Sequence, residues 1–261
     1  MATQRNYAQQ MDAVLATLGD TRPRLLLHAC CGPCSSAVLE QLCRYFEITV
    51  LYYNPNTWPA AEYYRRGEEL QKFVAAAHPL GVTVVEDSYD PQQFYTAVAG
   101  LENEPERGSR CTVCYRLRMR RAAQYARDNG FDWFTTTLSI SPHKDAARIN
   151  AIGQELEAEF GVKHLPSDFK KHNGYLRSLQ LSEQYGLYRQ DYCGRTTAAA
   201  SSAQKQEALR DNAKQFEISS AALWILSAES LFIICPPGKS ADFPGGLFHE
   251  WGLERTPSVK T

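Results

Sequence analysis

The chain has 261 residues, of which 44% are hydrophobic, so it can bury a large core and is expected to form one main domain. Its formal net charge of -1 argues against a uniformly basic protein that coats nucleic acid. The N-terminal residues lack the apolar centre of a secretory signal, and no stretch is long and apolar enough to cross a bilayer. We therefore expect a cytoplasmic protein with no membrane partner.

Apolar segments alternate with helical patterns along the first two thirds of the chain. This alternation predicts an α/β fold, with a parallel sheet between layers of helices. We expect residues 1–202 to form a catalytic domain with this fold, and residues 203–261 to form a C-terminal extension of unknown role. The predicted strands are residues 24–28, 47–53, 82–86 and 132–138, and the predicted helices are residues 35–45, 62–77, 91–100 and a segment capped by Ser141 that starts at Pro142.

Most of the eight cysteines are clustered. In a reducing compartment, clustered thiols indicate metal binding or redox catalysis rather than a disulfide framework. Loops that follow parallel strands meet at one edge of the sheet, so the thiols of the first loop are expected to meet those of a helix-borne C-x-x-C pair. The three groups are Cys30, Cys31 and Cys34 in HACCGPC, Cys111 and Cys114 in RCTVCY, and Cys193 in YCG.

Spacing alone leaves several kinds of site open. An iron-sulfur site, a structural zinc and a redox-active pair formed by Cys111 and Cys114 are all compatible with C-x-x-C. A zinc-stabilised tRNA-binding module uses four ligands, and five nearby thiols are one too many for it. A sulfur-transfer enzyme that modifies tRNA would need ATP, and the chain has no phosphate-loop signature.

Two basic regions favour a nucleic-acid substrate. Seven arginines lie within residues 107–127, where phosphate binding and a solvated helix face are equally good interpretations. A second group of lysines, arginines and tyrosines lies within residues 168–192. Between the two regions, His143 and Asp145 have side chains suited to proton transfer.

Six motifs, in order, resemble the QueH type of epoxyqueuosine reductase, the form that does not depend on cobalamin. The resemblance implies a Rossmann-like domain of the nucleotide alpha-hydrolase type. It implies the last step of queuosine biosynthesis, in which epoxyqueuosine is reduced to queuosine at the wobble position of a tRNA. It also implies a 4Fe-4S cluster, a neighbouring mononuclear iron and an external electron donor. The motifs are LLLHACCGPCS, YYNPNTWPAAEYYRR, RCTVCYRLRMRRAA, GFDWFTTTLSISPHKD, DFKKHNGYLRS and LSEQYGLYRQDYCG.

The resemblance also carries roles to individual positions. Cys30, Cys31, Cys111 and Cys114 match the paired cysteines of the family and are the expected metal ligands. Cys34 stands where some members carry aspartate, which can also bind iron, so it is the expected fifth ligand. The candidate proton donors are Asp145, His143 and Tyr192, and the candidate substrate contacts are Asn54, Asn56, Arg116, Lys144, Arg177 and Arg189.

The chain departs from the pattern of the family in two places. Arg195 follows Tyr192, Cys193 and Gly194 where the family usually has a second cysteine, and Thr57 with Trp58 replaces the more usual Ile-His. A role that needs a cysteine pair at residues 193–195 is therefore not transferred.

Overall fold

The computed structural model describes residues 6–78 and 81–190. The predicted boundary at residue 202, the extension after it, Tyr192 and Cys193 lie outside the described residues. Within those two ranges, no helix combines the length and the apolar character needed to span a membrane. The elements in chain order are α1 (Tyr7–Leu18), β1 (Arg24–Ala29), α2 (Gly32–Leu42), β2 (Glu47–Tyr52), α3 (Ala60–Ala77), β3 (Val82–Glu86), α4 (Pro91–Ala97), α5 (Ser109–Asp128), β4 (Trp133–Thr136), a 3-10 helix (Thr137–Ile140), α6 (Ala146–Phe160), β5 (Lys163–His164) and α7 (Gly174–Gln184).

The strands of the described residues form one parallel sheet in the order β3-β2-β1-β4-β5. Helices flank this sheet, so the predicted α/β fold is confirmed. The register pairs Ala29 with Tyr52, and His28 with both Leu51 and Thr136. Strands β1, β2 and β4 therefore end at nearly the same level, and the loops after them share one edge of the sheet.

The core lies on both faces of the sheet, which explains why β1 is a continuous apolar run. Leu25 and Leu27 pack into a cluster on one face with Val38 of α2, whereas Leu26 packs into a second cluster with Ile152 of α6. This division follows from the two-residue period of a strand. Because α2 follows β1 and α6 follows β4, the connections leaving these neighbouring strands diverge to opposite faces. A crevice opens between them, as is typical of this class of sheet.

The predicted helix start at Ser141 and Pro142 is wrong. A short 3-10 helix and a turn follow β4 instead, and α6 begins at Ala146 with Asp145 as its N-cap. The Oδ1 atom of Asp145 accepts a hydrogen bond from the backbone N–H of Arg148 at 3.1 Å. Ser141 and Asp145 are both suited to capping a helix and stand four positions apart. The aspartate has the advantage that it adds a negative charge at the positive end of the helix dipole.

His164 is a buried histidine in β5. It is 3% exposed, and neither of its ring nitrogens has a hydrogen-bond partner within the described part of the chain. A Cβ atom at Gly153 would lie 2.3 Å from the ring, so α6 packs tightly against it. Burial lowers the pKa of His164 to about 4. The ring is therefore neutral at neutral pH and behaves as a poorly satisfied core side chain.

This burial predicts a loss of stability in mild acid. In the unfolded chain a histidine takes up its proton near pH 6.5, but His164 resists protonation until about pH 4. The free energy of unfolding should therefore fall as the pH decreases from 6.5 to 4, by about 3 kcal/mol from this residue alone. His164→Leu should remove that part of the dependence in urea unfolding series. The part of the pH dependence that comes from His28 should remain, because burial lowers the pKa of His28 to about 4 as well.

The matched control is His172→Asn, because the His172 side chain is 64% exposed and contacts Asp12 at 3.3 Å. The unfolding free energy of this variant should depend on pH in the same way as that of the unsubstituted chain. An unchanged dependence in His164→Leu would contradict the prediction.

Candidate metal centre

Three cysteine thiols meet where β1 passes into α2. Strand β1 ends at Ala29, Cys31 is the N-cap of α2, and Cys34 lies in the first turn of that helix. The sulfur atoms of Cys30, Cys31 and Cys34 all lie within 4.8 Å of one another, and those of Cys30 and Cys31 are 3.8 Å apart. We call these three residues the thiol group. Sulfur ligands at such distances can share a soft metal ion or the edge of a cluster.

The thiol group favours a single thiolate. Hydrogen bonds from the thiols of Cys31 and Cys34 are the main cause that lowers the pKa of Cys30 well below its usual value, and Thr137 and Lys144 act in the same direction. The same contact with Cys30 raises the pKa of Cys31 to about 12 and raises that of Cys34. Of the three sulfurs, that of Cys30 therefore loses its proton most readily. A bound cation would displace the thiol protons, so the chemistry of this set fits a thiophilic metal.

The second cysteine pair lies in the first turns of α5. The Cys111 sulfur accepts a hydrogen bond from the backbone N–H of Arg107 at 3.3 Å, and the Cys114 sulfur accepts one from Nη2 of Arg118 at 3.3 Å. Cys30 and Cys111 both pack against the same hydrophobic cluster. Neither Cys111 nor Cys114 belongs to the set of described ligand atoms within 4.8 Å of one another.

A cleft of about 690 Å³ opens above the thiol group. Its walls carry four cationic side chains, whereas Glu106 is the acidic residue among the described residues that line it. The cleft is thus positively charged and large enough for a nucleoside-sized group. The cationic side chains are Arg66, Arg118, Lys144 and Arg189.

The sequence is similar to those of known proteins. A family model described as epoxyqueuosine reductase QueH matches residues 25–200. The chain belongs to this family. A Streptococcus pyogenes serotype M1 protein named epoxyqueuosine reductase QueH is 46% identical over 181 residues, which are 68% of this chain and 71% of the relative. Proteins of the same name from Staphylococcus epidermidis and Thermotoga maritima are 40% and 36% identical, over 68% and 65% of this chain and 77% and 87% of their own lengths. The resemblance predicted from the motifs is confirmed, and the QueH family is one of oxidoreductases.

The structure of this QueH chain brings together most of the predicted site residues. Besides the thiol group, the cleft is lined by Asn54, Asn56, His143, Lys144 and Arg189. Asn54 is fixed by a hydrogen bond that its Nδ2 atom donates to the carbonyl of Ala29 at 2.9 Å. The predicted substrate contacts that follow β2 therefore lie beside the cysteine loop, as the shared sheet edge requires.

Other predicted residues, Cys111 and Cys114 among them, are not among the described residues that line the cleft. Asp145 caps α6 and is not among the described residues that line the cleft. Arg116 and Arg177, which also do not line it, form ion pairs with Glu155 at 2.5 Å and with Glu40 at 2.6 Å.

The sequence patterns did not single out two buried arginines that line the cleft. Arg66 and Arg118 are 4% and 3% exposed. Arg66 donates a hydrogen bond from Nε to Glu62 at 2.7 Å, and Arg118 donates to the sulfur of Cys114. In both cases the partner lies four residues earlier on the same helix, a spacing that makes helical neighbours. That spacing is the signal in the sequence that would have found them.

Proposed function

We propose that this chain reduces epoxyqueuosine to queuosine at the wobble position of a tRNA in the cytoplasm. The observation that carries the proposal is the thiol group at the base of a cationic cleft, in a chain of the epoxyqueuosine reductase QueH family. A modified base of an anticodon loop can be splayed out of its stack while cationic residues hold the backbone. The size and charge of the cleft suit such a base.

The proposed reaction is a reduction, so the chain needs a source of electrons. Removal of the epoxide oxygen as water leaves an alkene and consumes two electrons and two protons, so an external donor must supply the electrons. A 4Fe-4S cluster with a neighbouring iron would pass electrons singly and polarise the epoxide oxygen. Cys30, Cys31 and Cys34, with Cys111 and Cys114, are the residues we propose to hold these metals, and the thiol group supplies donors of suitable chemistry.

The chain's own polar residues have separate tasks in this proposal. His143 lines the cleft, so its imidazole is the first choice for delivering a proton to the departing oxygen. Asp145 is second, because its carboxylate caps α6. Tyr192 remains a prediction outside the described residues. Asn54 and Asn56 are 1% and 8% exposed and offer amide groups to the edge of the base.

Two pairs of cationic residues in the described part of the chain differ in their surroundings, which predicts a difference in tRNA binding. Lys144 and Arg189 line the cleft, whereas Arg120 and Arg127 form ion pairs with Glu159 and Asp128 on the outer side of α5. Replacing Lys144 and Arg189 together by alanine should reduce the slope of log affinity against log salt by roughly 0.7 for each phosphate that the variant no longer binds. Fluorescence titration of a tRNA anticodon stem-loop at several salt concentrations measures this slope.

The matched control removes the same charge from the helix face. Arg120→Ala combined with Arg127→Ala should leave the salt slope close to that of the unsubstituted chain, because acidic neighbours already offset these charges. Equal slopes in both double variants would show that the cleft does not bind phosphates.

The direct test of the function uses anaerobically purified protein, a tRNA that carries epoxyqueuosine and a chemical reductant. Nucleoside analysis should detect queuosine, and the protein should contain iron and acid-labile sulfide. A colourless protein that holds one zinc and binds tRNA without turnover would instead identify a zinc-stabilised binding module. Turnover without any metal would identify a thiol-disulfide reductase.

A further inference from the structure

Arg118 is a buried cation in contact with one of the predicted metal ligands. It lies in the third turn of α5 and is 3% exposed. Its Nη2 atom donates to the sulfur of Cys114 at 3.3 Å, and its Nε atom donates to the carbonyl of the same residue at 3.1 Å. Two hydrogen bonds from one rigid guanidinium therefore fix Cys114 relative to the helix that carries it.

The same side chain reaches the first cysteine loop through Asn54. Nη1 of Arg118 donates to Oδ1 of Asn54 at 3.4 Å, and Nδ2 of Asn54 donates to the carbonyl of Ala29 at 2.9 Å. Ala29 directly precedes Cys30 in the chain. A continuous series of hydrogen bonds thus connects the Cys114 sulfur with the start of the thiol group. Arg118 also lines the cleft together with Cys30.

Arg118 and Arg66 are the two buried arginines among the described residues that line the cleft. Arg66, the other buried arginine of the cleft, has its charge offset by Glu62 of the same helix. A guanidinium taken out of water is stabilised by a nearby anion, and the Cys114 sulfur at 3.3 Å would be such an anion once a bound metal had displaced its proton.

We propose that Arg118 is a positioning residue of the metal centre: it fixes the position of the Cys114 sulfur and raises the reduction potential of the metals that the cysteines hold. This rests on the proposed function. An electron added to a thiolate-held centre increases its negative charge, and a buried cation stabilises that state because the surroundings screen it poorly. Hydrogen bonds to ligand sulfurs and local net charge are general determinants of such potentials.

The test compares Arg118→Met with Arg118→Lys and with Arg120→Met, a control on the exposed side of the same helix. Iron and sulfide content and the midpoint potential from a redox titration followed by electron paramagnetic resonance are measured on full-length protein purified without oxygen. In Arg118→Met, the equilibrium constant for one-electron reduction should fall at least tenfold, a shift of about 59 mV to more negative potential. Arg118→Lys keeps the charge and should recover most of this shift, whereas Arg120→Met should retain the original potential.

The outcomes separate this inference from the proposed function. If the unsubstituted chain contains no iron, the proposed function fails first. If it contains iron and Arg118→Met keeps both iron and potential, the role of Arg118 is refuted while the function stands. Loss of iron in Arg118→Met, with recovery in Arg118→Lys and an unchanged thermal midpoint, would support the positioning role. Loss of iron that Arg118→Lys does not recover would overturn the role assigned to the charge.

Discussion

Replacing Cys30 by alanine is expected to abolish iron binding and turnover together. Hydrogen bonds from Cys31 and Cys34 lower the pKa of Cys30, so its replacement removes the ligand of the thiol group that loses its proton most readily. Replacing the partners that merely orient metal ligands typically costs up to roughly 100-fold, so loss of a ligand should cost more than that. Iron and sulfide analysis of anaerobically purified protein measures the first effect. Nucleoside analysis of treated tRNA measures the second.

Cys43→Ala is the matched control for this experiment. Cys43 lies at the C-terminal end of α2, where its sulfur is 3.8 Å from Nδ1 of His78, and burial raises its pKa to about 11. It does not line the cleft formed by the described residues. The control should keep its iron. Full iron content in Cys30→Ala, or equal iron loss in both variants, would contradict a metal site at the thiol group.

Gly174→Ala is expected to destabilise the protein strongly. A Cβ atom at this position would lie 1.9 Å from the carbonyl oxygen of Phe169 and 3.5 Å from the Cδ1 atom of Ile140. The first contact is with backbone, so the turn that leads into α7 must shift as a whole. We expect a loss of at least about 3 kcal/mol in the free energy of unfolding, the upper end for overpacked sites. Urea unfolding followed by circular dichroism measures it.

The effect should extend to the cleft, because Tyr175 and Ser178 of α7 are part of its wall. Gly81→Ala is the control: a Cβ atom there would meet no atom of the described residues within 4 Å apart from its neighbours in the chain, so the unfolding free energy should change little. Equal stability of the two variants would show that the turn before α7 tolerates the added atom.

The sheet and the first cysteine loop could be predicted because local sequence determines both. Strand β1 is buried on both faces and is therefore a continuous apolar run from Leu25 to Leu27. A motif that follows such a run must lie at the carboxyl edge of a parallel sheet. By contrast, β5 has two residues, Lys163 and His164, and a segment of that length has no periodicity to detect.

The partners of the arginines could not be predicted, since they depend on how α5 is rotated against its neighbours. Arg116 and Arg118 are two residues apart, yet one forms an ion pair with Glu155 at the surface and the other is buried beside Cys114. A rotation of about 200° separates such positions on a helix. The two residues are of the same type, so the sequence alone does not show which of them is buried. The packing of α5 against its neighbours determines it.

The divergence of the chain after β1 and β4 has a consequence for how this protein can change over evolutionary time. The crevice exists because α2 and α6 leave for opposite faces of the sheet, and the interior of the sheet maintains that geometry. Substitutions in the loops that border the opening leave this interior intact, so new substrate preferences can arise without loss of the scaffold. Substitutions at Leu26 or Ile152 have no such freedom, because both side chains are fully enclosed or nearly so.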